Sequence, residues 1–73
     1  MSSSKGQVEV VVNGREMAVR EGRTLRELLE ELGIGTRGIA VELNREIVPK
    51  GRHGATLLKG GDRIEVIRMV GGG

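Results

Sequence analysis

The group with the clearest chemical potential in this chain is the main-chain carboxylate that follows three terminal glycines. The stretch from Arg63 onward reads as an amphipathic strand that continues into Gly71, Gly72 and Gly73. Glycine loses the most entropy when ordered and chain ends fray, so we expect this tail to be flexible. Such a tail can enter a narrow slot in a partner and present the Gly73 carboxylate, which becomes a good electrophile only after activation, most simply by adenylation with ATP. The open alternative is a disordered end or cloning remnant without chemistry.

Side chains that commonly carry out catalysis are scarce. The serines lie in the first four residues, the single histidine is His53 and the single aspartate is Asp62. A nucleophile, a base and an orienting acid must be held rigidly together, and these positions do not provide such a set. One histidine without cysteines cannot form a zinc site. The sequence therefore predicts a protein that is not an enzyme and holds no metal, with His53 as a solvated loop residue.

Composition excludes several other classes of protein. A chain of 73 residues allows one small domain, and without Phe, Trp or Tyr its core must consist of aliphatic side chains and Met. The twelve basic residues are interleaved with ten acidic ones, and the net charge is +2. The sequence lacks the basic stripe and the stacking aromatics that are typical of nucleic-acid binding, so we expect no nucleic-acid partner. No apolar run reaches transmembrane length and no signal region is present, so we expect a cytoplasmic protein with no membrane partner.

The N-terminal part of the chain reads as a leader followed by a β-hairpin. Residues 1–6 are small and polar, as in a disordered leader or tag remnant, and the folded domain is predicted at 7–70. Between Gln7 and Arg20, two alternating stretches flank Asn13-Gly14, the strongest short-range signal for a type I′ hairpin turn. Val11 faces the opposite side of the sheet from the inward residues, which are Val8, Val10, Val12, Met17 and Val19.

A capping box predicts one helix. The Thr24 hydroxyl can accept a hydrogen bond from the backbone three residues on, and Glu27 can reach back to the Thr24 amide. Gly33 is a plausible C-terminal stop for a helix of about nine residues. Its apolar stripe is expected to pack on a sheet and consists of Leu25, Leu28, Leu29 and Leu32.

Further strands are predicted after the helix. The stretch from 39 to 43 alternates, with Ile39, Val41 and Leu43 inward, and Asn44-Arg45 turns it into a short strand at 46–48 that Pro49 ends. Residues 50–59 read as an irregular segment that Leu57 and Leu58 anchor. A turn at 60–62 then begins the last strand, in which Ile64 and Val66 face inward.

This order of elements predicts an α+β fold, with a mixed sheet of four to five strands and one main helix on one face. The first and last strands would lie parallel at its centre, as in a ubiquitin-like β-grasp. Val11, Ile67 and Met69 would then cluster on the face that the helix does not cover. We interpret these three residues as a docking patch for a partner protein.

Several motifs occur together in this chain: Val12-Asn-Gly14, Thr24-Leu-Arg-Glu-Leu-Leu29, Val41-Glu-Leu-Asn-Arg-Glu-Ile-Val-Pro49, Gly61-Asp-Arg-Ile-Glu65 and Gly71-Gly-Gly73. In combination they resemble the ThiS family of the MoaD/ThiS superfamily, the ubiquitin-like sulfur carrier proteins of thiamin biosynthesis. The resemblance runs from about Gln7 to Gly73. Arg45 stands where the family often has glycine, which is expected to change the type of turn without affecting the chemistry.

The resemblance implies a carrier that contributes no catalytic side chain and no bound cofactor. A ThiF-like, E1-like partner would use ATP to adenylate the Gly73 carboxylate. A sulfur relay from a cysteine desulfurase would displace AMP and leave a C-terminal thiocarboxylate, from which a ThiG-like thiazole synthase would take the sulfur. Gly71 and Gly72 would thread the partner active sites, while the docking patch would hold the partners.

Three alternatives remain open. The first is a sulfur carrier with another acceptor, in molybdopterin synthesis or tRNA thiolation. The second is a ubiquitin-like modifier that joins an activated Gly73 to lysines of other proteins. The third is a structural or interaction domain whose terminal glycines are incidental.

Overall fold

A five-stranded mixed sheet and one α-helix dominate the computed structural model, which describes residues 6–69. The elements are β1 (Gln7–Val12), β2 (Arg15–Arg20), α1 (Leu25–Glu31), β3 (Ile39–Leu43), β4 (Glu46–Ile47), a 3₁₀ helix (Lys50–Ala55) and β5 (Arg63–Arg68). The strand order is β2-β1-β5-β3-β4, in which β1 and β5 are parallel and the other neighbours are antiparallel. The predicted α+β fold with parallel first and last strands at the centre is confirmed. Gly6, which was assigned to the leader, is described, and its carbonyl accepts a hydrogen bond from the Glu21 amide at 2.7 Å. The predictions for residues 1–5 and for the glycine tail lie outside the described residues.

The β1–β2 hairpin forms as its sequence predicts. Val12 pairs with Arg15, which leaves a two-residue turn at Asn13 and Gly14. Both turn residues have positive φ, +50° and +84°, as a type I′ turn requires. The predicted inward residues all belong to the core or pack against it.

The capping box is present at the start of α1. The Glu27 amide donates to Thr24 Oγ1 at 3.1 Å, and the Thr24 amide donates to Glu27 Oε1 at 3.0 Å. The helix ends at Gly33 as predicted, where the amide of Gly33 bonds to the Glu30 carbonyl and that of Ile34 to the Leu29 carbonyl. These two bonds form a Schellman motif, with Gly33 at a φ of +73°.

The reversal of the chain at Gly33 determines which residue closes the core at this end of the helix. Leu32 was expected to extend the buried stripe, but it is the C-cap and remains 39% exposed. Ile34 lies just beyond the reversal of the chain and packs against the core in its place. The fully buried core is aliphatic throughout and consists of Val10, Val12, Val19, Leu25, Leu28, Leu29, Val41, Leu58 and Ile64.

The segment after β4 is more ordered than its sequence predicts. Residues Lys50–Ala55 form a 3₁₀ helix, so the expectation of an irregular stretch was wrong there. The chain then runs beside the start of α1, where the Leu25 amide donates to the Thr56 carbonyl and the Leu58 amide to the Arg23 carbonyl. This pairing turns Leu58 into the core, whereas Leu57 is 56% exposed and does not anchor the segment.

His53 is not the solvated loop residue that the sequence predicts. It is 4% exposed, and its Nε2 lies 3.0 Å from the Val48 carbonyl oxygen. The physical reason is the 3₁₀ helix, which turns the chain after Pro49 and brings the imidazole back to the Val48 carbonyl. The ring therefore ties this helix to the end of β4, while Nδ1 has no hydrogen-bond partner among residues 6–69.

The β3–β4 turn corrects the expectation for Arg45. Asn44 and Arg45 have φ values of +52° and +73°, and Leu43 pairs with Glu46 across the turn. The backbones of Asn44 and Arg45 are thus both in the left-handed region, as those of Asn13 and Gly14 are. Arg45 adopts a conformation that favours glycine, and it does not change the type of turn. The Asn44 side chain supports it by accepting from the Arg63 amide at 2.9 Å and donating to Asp62 at 3.0 Å.

Replacing Arg45 with glycine should stabilise the domain. A left-handed conformation costs a residue with a Cβ about 1–2 kcal/mol, and the greater flexibility of unfolded glycine offsets part of the gain, so we expect about 0.5–1 kcal/mol. The midpoint of urea unfolding measures the change. The control Arg20→Gly, in a strand without positive φ, should destabilise, and a loss of stability in Arg45→Gly would show that the turn is not strained.

Candidate functional site

The predicted reactive residue lies just beyond the described part of the chain. Gly71, Gly72 and Gly73 fall outside residues 6–69, so their predicted roles stay predictions. The structure does show what leads to them, namely β5 and the residue after it, Met69. The site is therefore defined by how β5 is held and by the surfaces beside its end.

Strand β5 is held on one side by β1 and by the turn that follows β1. The Val11 amide donates to the Asp62 carbonyl, and the Asn13 amide donates to the Ile64 carbonyl, both at 2.9 Å. Beyond this point β1 has ended, and the side chain of Asn13 continues the pairing, since its Oδ1 accepts from the Val66 amide at 2.8 Å. Asn13 thus fixes β5 at the part that leads toward the tail.

On its other side, β5 pairs with β3 over its whole length. The register runs from Leu43 opposite Ile64 to Ile39 opposite Arg68. The Met69 amide adds a bond to the Gly38 carbonyl at 2.9 Å. The sheet therefore holds the chain up to four residues before Gly73.

The predicted docking residues share the open side of the sheet but do not form one cluster. Ile67 is 40% exposed and lies directly opposite Ala40. Val11 is half-buried and aligned with Arg63, four positions before Ile67, which corresponds to about 13 Å along the strand. Met69 is 59% exposed beyond the end of β5. Only Ile67 and Met69 lie near the exit of the chain, and the docking role of all three stays a prediction.

The open face contains apolar and charged residues besides the three predicted docking residues. Ile47 is 61% exposed and pairs with Glu42, so it stands on the same face as Ala40 and Ile67. Alternation in β4 predicts that Ile47 and Val48 face opposite sides, but only the register shows which one faces outward. Between the apolar residues lies a depression of about 370 Å³ lined by four charged residues, Glu42, Arg45, Arg63 and Glu65.

The ion pairs within residues 6–69 lie elsewhere, around the helix. Arg23 is 3.3 Å from Glu31, and Arg26 is 3.2 Å from Glu30 on the next turn of α1. Exposed pairs of this kind contribute little stability. The arginines along β5 and near its end form no ion pair with the described residues, so their charge is available to a partner.

Other kinds of site have no support within the described residues. Residues 6–69 contain no group of three or more His, Cys, Asp or Glu side chains that could hold a metal ion. The same part of the chain has no helix with the length and hydropathy needed to cross a membrane. The features that remain are the held strand, the open face and the end of the sheet beside Met69.

Comparison with known proteins identifies a family. The ThiS family model matches residues 6–73. The sulfur carrier protein ThiS of Escherichia coli is 30% identical over 66 residues, which cover 90% of this chain and all of that protein. A crystal structure of the thiamine biosynthesis protein ThiS from Geobacter metallireducens superimposes with a TM-score of 0.79 at 33% identity, covering 90% of this chain and all of that one.

A second kind of relative is much longer. The thiazole synthase of Paramagnetospirillum magneticum is 39% identical over 66 residues, which are 90% of this chain and 20% of that protein. The thiazole synthase of Magnetococcus marinus has 38% identity with the same coverage. The chain thus spans about a fifth of the length of these relatives.

Replacing Asn13 with glycine should loosen the outer half of β5 without breaking the turn. Glycine adopts the positive φ of this position, but the Val66 amide loses its acceptor, which we expect to cost about 1 kcal/mol. Amide hydrogen exchange should accelerate at Val66, with a smaller change at Val12. Asn13→Asp retains an acceptor oxygen and serves as the control. Equal protection of Val66 in Asn13→Gly and the wild type would contradict this role.

Proposed function

This chain belongs to the ThiS family, and we propose on that premise that it is a sulfur carrier of thiamin biosynthesis that acts through the carboxylate of Gly73. The observation that carries the proposal is the extent of the match, which begins at residue 6 and includes the terminal glycines. The match therefore covers both the folded domain and the glycine ending. In this chain β5, which the sheet holds on both sides, is the strand that leads to those glycines.

The first chemical step is activation of the carboxylate. A Gly73 carboxylate oxygen attacks the α-phosphorus of ATP in the active site of an E1-like enzyme, the bond to the β-phosphate breaks, and pyrophosphate leaves. The product is a mixed anhydride with AMP as a good leaving group. The described residues of the carrier supply no catalytic group to this step, and their contribution is to bring the carboxylate to the enzyme.

The second step exchanges oxygen for sulfur. A cysteine desulfurase relay carries its sulfur as a persulfide, and a thiol reductant, which is itself oxidised to a disulfide, releases that sulfur at the oxidation level of sulfide. The released sulfur nucleophile attacks the Gly73 carbonyl carbon. The carbon–sulfur bond forms, the bond to AMP breaks, and AMP departs with the electron pair. The resulting thiocarboxylate is a soft nucleophile that can deliver its sulfur to an acceptor. The absence of cysteine from the chain is consistent with a sulfur atom that travels on the C-terminus.

Thiazole synthase is the acceptor that the comparisons favour. In two relatives of that name, a segment similar to this chain makes up about a fifth of the polypeptide. Joining a carrier to the enzyme that consumes its cargo raises the effective concentration of one for the other. We infer that a ThiG-like thiazole synthase takes sulfur from this carrier, and that both work in the cytoplasm, where ATP for the activation is available.

Among the alternatives, a carrier for molybdopterin synthesis or tRNA thiolation would use the same fold and tail. The family match and the two thiazole synthases favour thiamin. A protein modifier would use the same activated Gly73 but leave an amide bond to lysine, which a search for branched Gly-Gly peptides distinguishes. A purely structural domain would keep its function without Gly72 and Gly73.

The intact mass of the protein tests the proposal. After incubation with ATP, an E1-like enzyme of a ThiS system and a sulfur source, a fraction should become heavier by about 16 Da, the difference between sulfur and oxygen. Fragmentation should place the added mass at Gly73, and hydrolysis should remove it.

The matched control is the protein that lacks Gly72 and Gly73. It should unfold at the same urea concentration as the full chain, because no described residue is altered, yet gain no sulfur. A full-length protein that keeps the mass of the plain carboxylate under these conditions would refute the carrier function.

Replacing Ile67 with glutamate should weaken docking to the activating enzyme without unfolding the domain. Ile67 is 40% exposed on the open face, so a carboxylate there remains solvated in the free protein but is desolvated in a complex. We expect the KM for the carrier to rise about tenfold or more, by analogy with the truncation of interface anchors.

Ala18→Glu is the matched control for this variant. Ala18 pairs with Glu9 on the same open face, but at the far strand β2. The Ala18→Glu substitution should leave the KM for the carrier nearly unchanged. Normal activation of Ile67→Glu would show that the open face beside β5 is not the docking surface. Failure of this variant to fold, as judged by circular dichroism, would show that the assignment of Ile67 to an exposed face is wrong.

A further inference from the structure

A second surface lies beside the exit of the tail, on the side of the sheet that carries the helix. It is a cleft of about 490 Å³ between the loop after α1 and the ends of β3 and β5. Its apolar floor is formed by Ile34, Ile39 and Val66, which are partly buried and pack against the core. We call it the Arg37–Arg68 cleft, after the two charged residues on its border.

The cleft is distinct from the open face. Arg68 lies opposite Ile39 and two positions after Val66, so it projects to the side of the sheet on which the core lies. Arg37 comes from the loop, and Met69 closes the border nearest the tail. The two surfaces therefore flank the end of β5 from opposite sides and meet only at Met69.

The charge of the cleft is positive and uncompensated. Arg37 and Arg68 are both exposed, and no acidic residue is among those that line the cleft. The ion pairs among residues 6–69 involve Arg23 and Arg26 instead. Two like charges on one small cleft repel each other, and a bound carboxylate would relieve that repulsion while its neighbours cover the apolar floor.

We propose that the Arg37–Arg68 cleft receives an acidic side chain, Asp or Glu, of the E1-like enzyme at the mouth of its active site. The inference rests on the proposed function, because it assumes that Gly73 enters that active site. Charge complementarity selects an anion, and the planar guanidinium group of an arginine can bind a carboxylate through two parallel N–H···O hydrogen bonds.

The position of the cleft favours a protein carboxylate over the phosphates of ATP. Gly73 lies four positions after Met69, and a fully extended chain over four positions spans at most about 14 Å. When the Gly73 carboxylate meets the α-phosphate inside the enzyme, the cleft lies back along the tail, at the entrance of the slot. The surface that it meets there is the protein that surrounds the entrance.

The test is a charge reversal with a matched control. The double variant Arg37→Glu and Arg68→Glu is compared with Arg20→Glu and Arg52→Glu, two exposed arginines away from the cleft that also form no described ion pair. Both variants change the net charge equally. The measurement is ATP–pyrophosphate exchange by the E1-like enzyme against carrier concentration, at low and at high salt.

We expect the cleft variant to raise the KM for the carrier about tenfold or more at low salt, with kcat within about twofold, and the difference to shrink at high salt. The control should stay within about twofold of the wild type. Replacing one acidic residue at the mouth of the enzyme's active site with arginine should lower the KM for the cleft variant again, without the same effect on the control. Equal KM values for the two double variants would overturn the inference.

The outcomes separate this inference from the proposed function. If the wild-type carrier supports no exchange at all, the proposed function itself fails. If the wild type is active and the cleft variant matches the control, only the cleft assignment fails. Should the reversed variant unfold, the neutral pair Arg37→Gln and Arg68→Gln, which avoids new charges, gives the same comparison with Arg20→Gln and Arg52→Gln.

Discussion

The parallel pairing of β1 with β5 is the constraint on which the rest of the fold depends. Parallel neighbours cannot be joined by a tight turn, so the chain between them must leave the sheet and return. The intervening residues supply β2, the helix, β3, β4 and the 3₁₀ helix, which cover one face and extend both flanks. The parallel register itself contains just two residue pairs, Val11–Arg63 and Val12–Ile64. The side chain of Asn13 extends the hold on β5 to Val66, beyond this short ladder, and that of Asn44 binds the Arg63 amide from the β3 side.

Local signals in the sequence predicted the parts of the fold that local chemistry determines. Asn13-Gly14 fixed the first hairpin, and the Thr24–Glu27 capping box fixed the start of the helix, because each motif satisfies its own backbone groups. His53 could not be recognised as buried, since its partner is a backbone carbonyl and its neighbours show no apolar period. Arg45 was misjudged because nothing local reports that tertiary pairing holds an arginine in the conformation of glycine.

The features of the candidate site that depend on local sequence were also predictable, whereas those that depend on tertiary contacts were not. Alternation within β5 sufficed to place Ile67 outward, and the terminal glycines are evident in the sequence itself. The distance from Val11 to Ile67 depends on the register between two strands that are far apart in sequence, so the predicted single patch became two separate positions. The cleft at Arg37 and Arg68 depends on a loop meeting a strand end, and no sequence period marks such an encounter.

The parallel arrangement also determines how this domain can be tethered. Gln7 begins β1 four positions before Val11, and Arg68 ends β5 five positions after the partner of Val11, Arg63. At the rise per residue of an extended strand, the start of β1 and the end of β5 lie about 30 Å apart, at opposite ends of the two central strands. A resin, a fluorophore or a fusion partner joined ahead of Gln7 would thus stand the full length of the two strands away from the end of β5. Single-molecule or surface-based assays can therefore attach the domain ahead of β1 and leave the end of β5 accessible from solution.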